Sequence, residues 1–293
     1  MGDLRLKSNI KVEYDRENYI FRFMGINPSG MKKVTSRAYA CLLGQNRWES
    51  IGKSILERFS GIEKEQIDPY YMVRGDMAEL LVMDYLEKKY KEKKVNIKLE
   101  TWDKEKVHYD NFQSNPKFGG LIDIAISKPD KYRAVIEVKS KSLKDLDKIM
   151  STKGNIDEVM QGQFLAKLSN VSKCLMFYVF FAPNQEQHIK EYMQTQRDVG
   201  QPYDSRQLAK EIIDSLKWSY NTCEIKAFKY DIGDEKTNKE IETFMNTAHK
   251  NLIHFKETKT ISESYFSIKE KAYLKDLAGY KPTIEDIEDD LPF

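Results

Sequence analysis

Three charged residues sit where charge is costly. Asp123 falls in the apolar run Leu121-Ile122-Asp123-Ile124-Ala125-Ile126, and Glu137 and Lys139 in Ala134-Val135-Ile136-Glu137-Val138-Lys139. Both runs are rich in β-branched residues and bounded by turn formers, Gly119-Gly120 before the first and Pro129-Asp130 between them, so the pattern predicts a hairpin of buried strands. Side chains alternate across a strand, which places Glu137 and Lys139 on one face. Burying unpaired ions costs several kcal/mol. Two acids and a lysine brought together there point to a divalent-cation site, since adjacent antiparallel strands can bring Asp123 and Glu137 near one point. A hard cation such as Mg²⁺, with Mn²⁺ as a substitute, takes oxygen ligands and keeps open positions for water and a substrate phosphate. A lysine beside it can orient or activate the attacking water, or neutralise charge on a phosphate, as metal-assisted phosphodiester hydrolysis requires. The bland alternative is a charged edge strand that blocks aggregation.

Gly120-Leu121-Ile122-Asp123 followed by Ile136-Glu137-Val138-Lys139 resembles the metal-binding core of the PD-(D/E)xK nuclease superfamily, with Asp123, Glu137 and Lys139 at its signature positions. The rest of the chain narrows the resemblance to phage recombination exonucleases of the lambda-exonuclease type. That resemblance implies an α/β fold with a restriction-endonuclease-like core, a central mixed β-sheet flanked by helices. It also implies Mg²⁺-dependent resection of double-stranded DNA ends from 5′ to 3′, a ring-shaped trimer, and an annealing protein as partner. Asp123, Glu137 and the Val138 carbonyl would hold the metal, and Lys139 would position or activate water. The alternatives are an endonuclease of the same superfamily, or a non-catalytic DNA-repair adaptor or inhibitor.

Other elements are read around that core. Val34 to Gly44 has a Thr/Ser cap, helical spacing and a glycine stop. In the family a similar helix start contacts the 5′-terminal phosphate, which makes Ser36 and Arg37 DNA-contact candidates; an ordinary N-cap is the other reading. Tyr71 to Leu86 is helical, and its period places Glu79 among apolar residues. Its Arg-Gly-x-x-x-Glu spacing matches the family's helix before the metal strands. Glu79 is thus a third acidic group, direct or through water, with Arg74 a DNA contact and Gly75 a point of close backbone approach. Val95 to Thr101 alternates as a strand of the sheet. Asp157 to Leu168 is a helix whose Gln161, by resemblance, lies beside Lys139, with Gln163 as second choice. Cys174 to Phe181 reads as a fully buried strand. Residues 185–257 are mainly helical with a strand near Glu224 to Tyr230, and residues 1–33 are a strand or irregular lead-in.

The 293 residues, 40% hydrophobic, suffice for a substantial core. The expected organisation is one nuclease domain over 1–284, with its core at 34–182 and an elaboration at 183–284, followed by an acidic tail at 285–293. No apolar run approaches the ~20 residues a bilayer needs, and Met1-Gly2-Asp3-Leu4-Arg5 starts no secretory signal, so a cytoplasmic protein is expected. Three scattered cysteines cannot supply a four-thiolate cluster, which excludes the iron–sulfur branch of the related nucleases. His249 and His254 do not share a helical face as zinc ligands would and read as surface residues. The net charge of +2 conceals a modestly basic body, because Glu285, Asp286, Glu288, Asp289 and Asp290 crowd the end. The ending Asp290-Leu291-Pro292-Phe293 resembles the acidic tip of bacterial single-stranded-DNA-binding proteins. A terminal aromatic of that kind can fill an apolar pocket on host repair proteins that read such tips, while acids steer the approach. Folding back over the chain's own basic channel, or a plain solubility tail, are the other readings.

Overall fold

The computed structural model describes residues 3–27, 33–46, 48–63, 68–128, 131–198 and 204–280. The Pro129-Asp130 turn and the tail through Asp290, Leu291, Pro292 and Phe293 lie outside them. In chain order the elements are β1 (Lys11–Asp15), β2 (Ile20–Met24), β3 (Val34–Thr35), α1 (Ser36–Leu42), α2 (Ile51–Arg58), α3 (Pro69–Glu92), β4 (Lys98–Glu100), β5 (Phe118–Gly119), β6 (Ile124–Lys128) and β7 (Lys131–Ser142). There follow α4 (Leu146–Thr152), α5 (Ile156–Leu168), β8 (Lys173–Phe181), α6 (Pro183–Asp198), α7 (Ser205–Ser215), β9 (Glu224–Asp231), α8 (Glu235–Thr258), β10 (Thr260–Ser262) and α9 (Ile268–Leu277). They group into two compact units, Met1–Glu65 with Phe244–Phe293, and Gln66–Thr243.

In the first unit β1 and β2 pair antiparallel with Lys11 opposite Met24, and β10 adds to the other edge of β2 with Ile261 opposite Phe21. The first 33 residues thus hold a two-stranded hairpin where a strand or irregular lead-in was expected. Strand alternation explains it: Phe21 and Phe23 are buried while Arg22 between them and Met24 after them are exposed. Phe21 meets Phe266 edge-on, and Phe23 lies against Phe255 and Phe266. Thr35 caps α1 by accepting from the Ala38 N–H, and Gly44, at φ +70°, ends it as the glycine stop predicted. His249, expected at the surface, is 9% exposed, a correction that its place on the inner side of α8 accounts for, beside buried Met245, Ala248 and Leu252.

The second unit is built on a five-stranded sheet in the order β4-β6-β7-β8-β9, with β7 and β8 parallel and the other pairs antiparallel. The expected α/β architecture, a central mixed sheet flanked by helices, is therefore present. α3 covers one face through Val73, Met77 and Val82 against Ile136, Val138, Phe177 and Val179, with apolar residues of α6 and α7 in the same core. α5 covers the other face. Its Gly162 lies so close to β8 that an added Cβ would stand 2.4 Å from Cys174 Sγ and 2.8 Å from Met176 Sδ. Gly162→Ala is expected to cost about 1–3 kcal/mol by overpacking, read from chemical denaturation; a cost below a few tenths would show that α5 shifts freely.

Candidate active site

β6 and β7 part company at the site. Their ladder ends with Ile124 opposite Ile136, whereas β7 continues to Ser142 with β8 alone. Asp123 stands one residue before β6, at a bend, and not inside a strand as the sequence pattern suggested. The physical consequence is a fork. Beyond it the Val138 N–H has lost its ladder acceptor on β6, and Asp123 Oδ2 accepts from it instead at 2.8 Å. The approach to the fork is itself fixed, since Asp110 Oδ1 accepts from the Gly120 N–H at 3.0 Å and Asn111 Oδ1 from the Ile122 N–H at 2.7 Å.

Glu137 and Lys139 share the α5 face, as strand parity requires. Lys139 Nζ donates to Glu137 Oε1 at 2.6 Å and to Gln161 Oε1 at 2.9 Å, so the glutamine beside the lysine is Gln161. Gln163 takes no part in this cluster among the described residues. Glu137 is 2% exposed, and its Oε2 is buried without a hydrogen-bond partner among the described residues. Burial pushes the Asp123 carboxyl up to about 7, with the Glu137 charge adding to the rise. Burial likewise raises Glu137, against the pull of Lys139. Burial opposes the Lys139 charge, but Glu137 and Asp123 outweigh it and hold the ammonium protonated well above its ordinary range.

Glu79 is buried on α3, as its place in the helical stripe implied, at 8% exposure. Its two oxygens accept from Lys104 Nζ and Arg206 Nη1, both at 2.8 Å. Asp76, one turn earlier and 6% exposed, takes Lys104 Nζ at 2.9 Å and the Ser205 hydroxyl at 2.5 Å. Burial raises Glu79 to about 7, with Asp123 as the next contributor. The i, i+3 spacing of Asp76 and Glu79 was a legible signal for an acidic pair on one face. Lys104 and Arg206 come from distant segments and had none.

The remaining expected residues fall elsewhere. Arg74 Nη1 pairs with Glu186 at 2.8 Å, and its Nε lies 3.4 Å from Ser140 Oγ, next to Lys139 in sequence. Gly75 makes no close approach: an added Cβ would meet nothing within 4 Å, because that side of α3 is open. Ser36, buried, and Arg37, exposed, belong to the first compact unit.

The carboxylate pair fits a hard divalent cation. Two acids, Glu137 buried and Asp123 half-buried, face one ammonium, so with both ionised one negative charge is uncompensated, and Glu137 Oε2 lacks a partner among the described residues. Mg²⁺ characteristically takes one or two protein carboxylates and retains waters. Among the described residues no group of three or more His, Cys, Asp or Glu side chains is disposed to hold a metal. The fit therefore rests on Asp123, Glu137 and the Val138 carbonyl, with Glu79 engaged by its two cations.

Fold and site together define a mixed α/β protein with a carboxylate–lysine–glutamine cluster at a strand fork. Among solved structures it is similar to an alkaline exonuclease (LHK-Exo) from Laribacter hongkongensis, alone and in complex with dAMP. In both cases the identity is 14%, the TM-score 0.43, and the match covers 84% of this chain and 93% of the other. No protein-family model and no curated protein matches the chain. Among the described residues no helix is long and apolar enough to cross a membrane.

Proposed function

We propose that this chain is a Mg²⁺-dependent exodeoxyribonuclease that resects double-stranded DNA ends from 5′ to 3′ in phage recombination. The observation that carries the reading is the convergence of the predicted residues: Lys139 bridges Glu137 and Gln161, and Asp123 is anchored on the intervening Val138 N–H. Asp123, Glu137 and the Val138 carbonyl would hold Mg²⁺, which when bound lowers the pKa of its water and polarises the phosphoryl oxygen. The chain's own residues do the rest. Lys139, protonated and fixed by two acceptors, has a third N–H to orient the attacking water or to meet charge developing on the phosphate. Gln161 holds that ammonium in place. Glu79 acts from behind Lys104 and Arg206, through them or through water.

The wider reading follows the same resemblance: a ring-shaped homotrimer around duplex DNA, a single-strand annealing protein as partner, and work in a host cell's cytoplasm. In it Ser36, Arg37 and Arg74 contact DNA, and Asp290 to Phe293 dock on host proteins that read such tips. The deciding test is Mg²⁺-dependent digestion of end-labelled linear duplex beside closed circular DNA. Release of labelled nucleotides from the linear substrate alone is expected. Cutting of closed circles would replace the reading by an endonuclease, and no cleavage with no metal binding by a non-catalytic adaptor.

A further inference from the structure

Beside the carboxylate pair lies a second charged cluster of different balance. Asp76 and Glu79 on α3 face Lys104 and Arg206, two acids against two cations, with Lys104 Nζ shared between both carboxylates. This cluster carries no net negative charge to attract a metal. The carboxylates are almost fully buried, whereas the Arg206 side chain is 38% exposed and the Lys104 side chain 28%. The acids thus form the floor, and the cations reach the surface. Arg206 uses Nη1 on Glu79, and its Nε and Nη2 have no partner among the described residues. Its backbone is held as firmly as its head: Asp204 caps α7 by accepting from the Arg206 and Gln207 N–H groups, and Ser205 is tied to Asp76. Lys104 is fixed in a turned segment, its carbonyl accepting from the Tyr109 N–H at 2.8 Å. The same segment then supplies Asp110 and Asn111, which fix the backbone leading into Asp123.

A planar guanidinium held through Nη1, with Nε and Nη2 unpaired among the described residues and the side chain partly exposed, is a phosphate receptor by shape and charge. The balance at the neighbouring site supports the same occupant. Asp123 and Glu137 against Lys139 leave one negative charge; a divalent cation would turn that into one positive charge, which a single phosphodiester matches. The two clusters adjoin through Glu79, which feels the Asp123 charge and accepts from both Lys104 and Arg206, so an extended polyanion held at the first site has these two cations beside it. Resting on the nuclease reading, we propose that Arg206, with Lys104 beside it, binds a backbone phosphate of the substrate DNA, and that Asp76 and Glu79 are positioning residues for these two cations.

The test is fluorescence anisotropy of a labelled linear duplex in EDTA, over a range of salt, with wild type, Arg206→Ala and Arg206→Lys. Calorimetric Mg²⁺ titration of wild type and Glu79→Gln accompanies it, and thermal unfolding of each variant checks the fold. Arg206→Ala is expected to weaken binding about three- to tenfold and to reduce the salt slope by about one; Arg206→Lys restores the slope because it keeps the charge. Glu79→Gln should keep Mg²⁺ affinity within about twofold. Unchanged affinity and slope in a folded Arg206→Ala protein overturn the phosphate contact. A tenfold loss of Mg²⁺ affinity in Glu79→Gln overturns its positioning role and makes it a ligand. If the wild type binds no duplex at all, the nuclease reading itself goes down, an outcome separate from the other two.

Discussion

Lys139→Ala is expected to lower Mg²⁺-dependent cleavage about 10²–10³-fold while duplex binding in EDTA changes little. The magnitude is that of removing one pre-oriented donor from the place where charge develops in a transition state. The geometry makes Lys139 such a donor. Glu137 Oε1 at 2.6 Å and Gln161 Oε1 at 2.9 Å fix two of its three N–H directions, so the third needs no reorganisation when phosphate arrives. Its charge state fits the same role, since two neighbouring carboxylates keep it protonated. A protonated lysine orients water or meets negative charge; it does not take a proton. Gln161→Ala, which frees the ammonium on one side but leaves its charge, should cost less than Lys139→Ala in single-turnover cleavage. Activity within tenfold of wild type in Lys139→Ala would remove the lysine from the reaction.

The reasons some of this was legible in the sequence, and some was not, are physical. Strand parity alone put Glu137 and Lys139 on one face, because a two-residue period has no slack. Helical periodicity likewise buried Glu79, which shares its stripe of α3 with Val82 and Leu86. What failed was local: Asp123 looks like a strand residue because its neighbours are β-branched, yet it lies at the bend where β6 leaves β7, and its carboxylate replaces a missing ladder bond. The hairpin of β1 and β2 was hidden because the exposed charges Lys11, Glu13 and Asp15 of β1 and Arg22 of β2 alternate with inward residues such as Val12, Phe21 and Phe23, which reads as mixed composition until the alternation is counted. Lys104 and Arg206 could not have been found by any local pattern. Each is one cation among 48 in the chain, and only tertiary folding brings them to Glu79. Short-period patterns report faces of elements; long-range partners of a buried acid are silent in the sequence.

Asp123→Asn is expected to stabilise the metal-free protein at neutral pH and to abolish its stabilisation by Mg²⁺. Asp123 has its carboxyl raised to about 7 by burial and by Glu137, so between about pH 4 and 7 the folded chain holds a proton that the unfolded chain has released. Stability must then fall as pH rises through that window, and stay low above it; an asparagine, which cannot ionise, escapes the loss. The Val138 N–H still finds an oxygen acceptor on the amide, so the fork itself survives. Discounting for the coupling between the two acids, the gain at pH 7.5 is about 2 kcal/mol, or several degrees in Tm, and it should shrink toward zero near pH 4. Adding Mg²⁺ at about a hundred times its Kd should stabilise wild type by about 2.7 kcal/mol and the variant by far less. Differential scanning calorimetry of both proteins from pH 4.5 to 7.5, in EDTA and in Mg²⁺, reads all of this. A variant less stable than wild type in EDTA at pH 7.5 would mean that Asp123 is already compensated within the chain, and the case for a cation between Asp123 and Glu137 would fall with it.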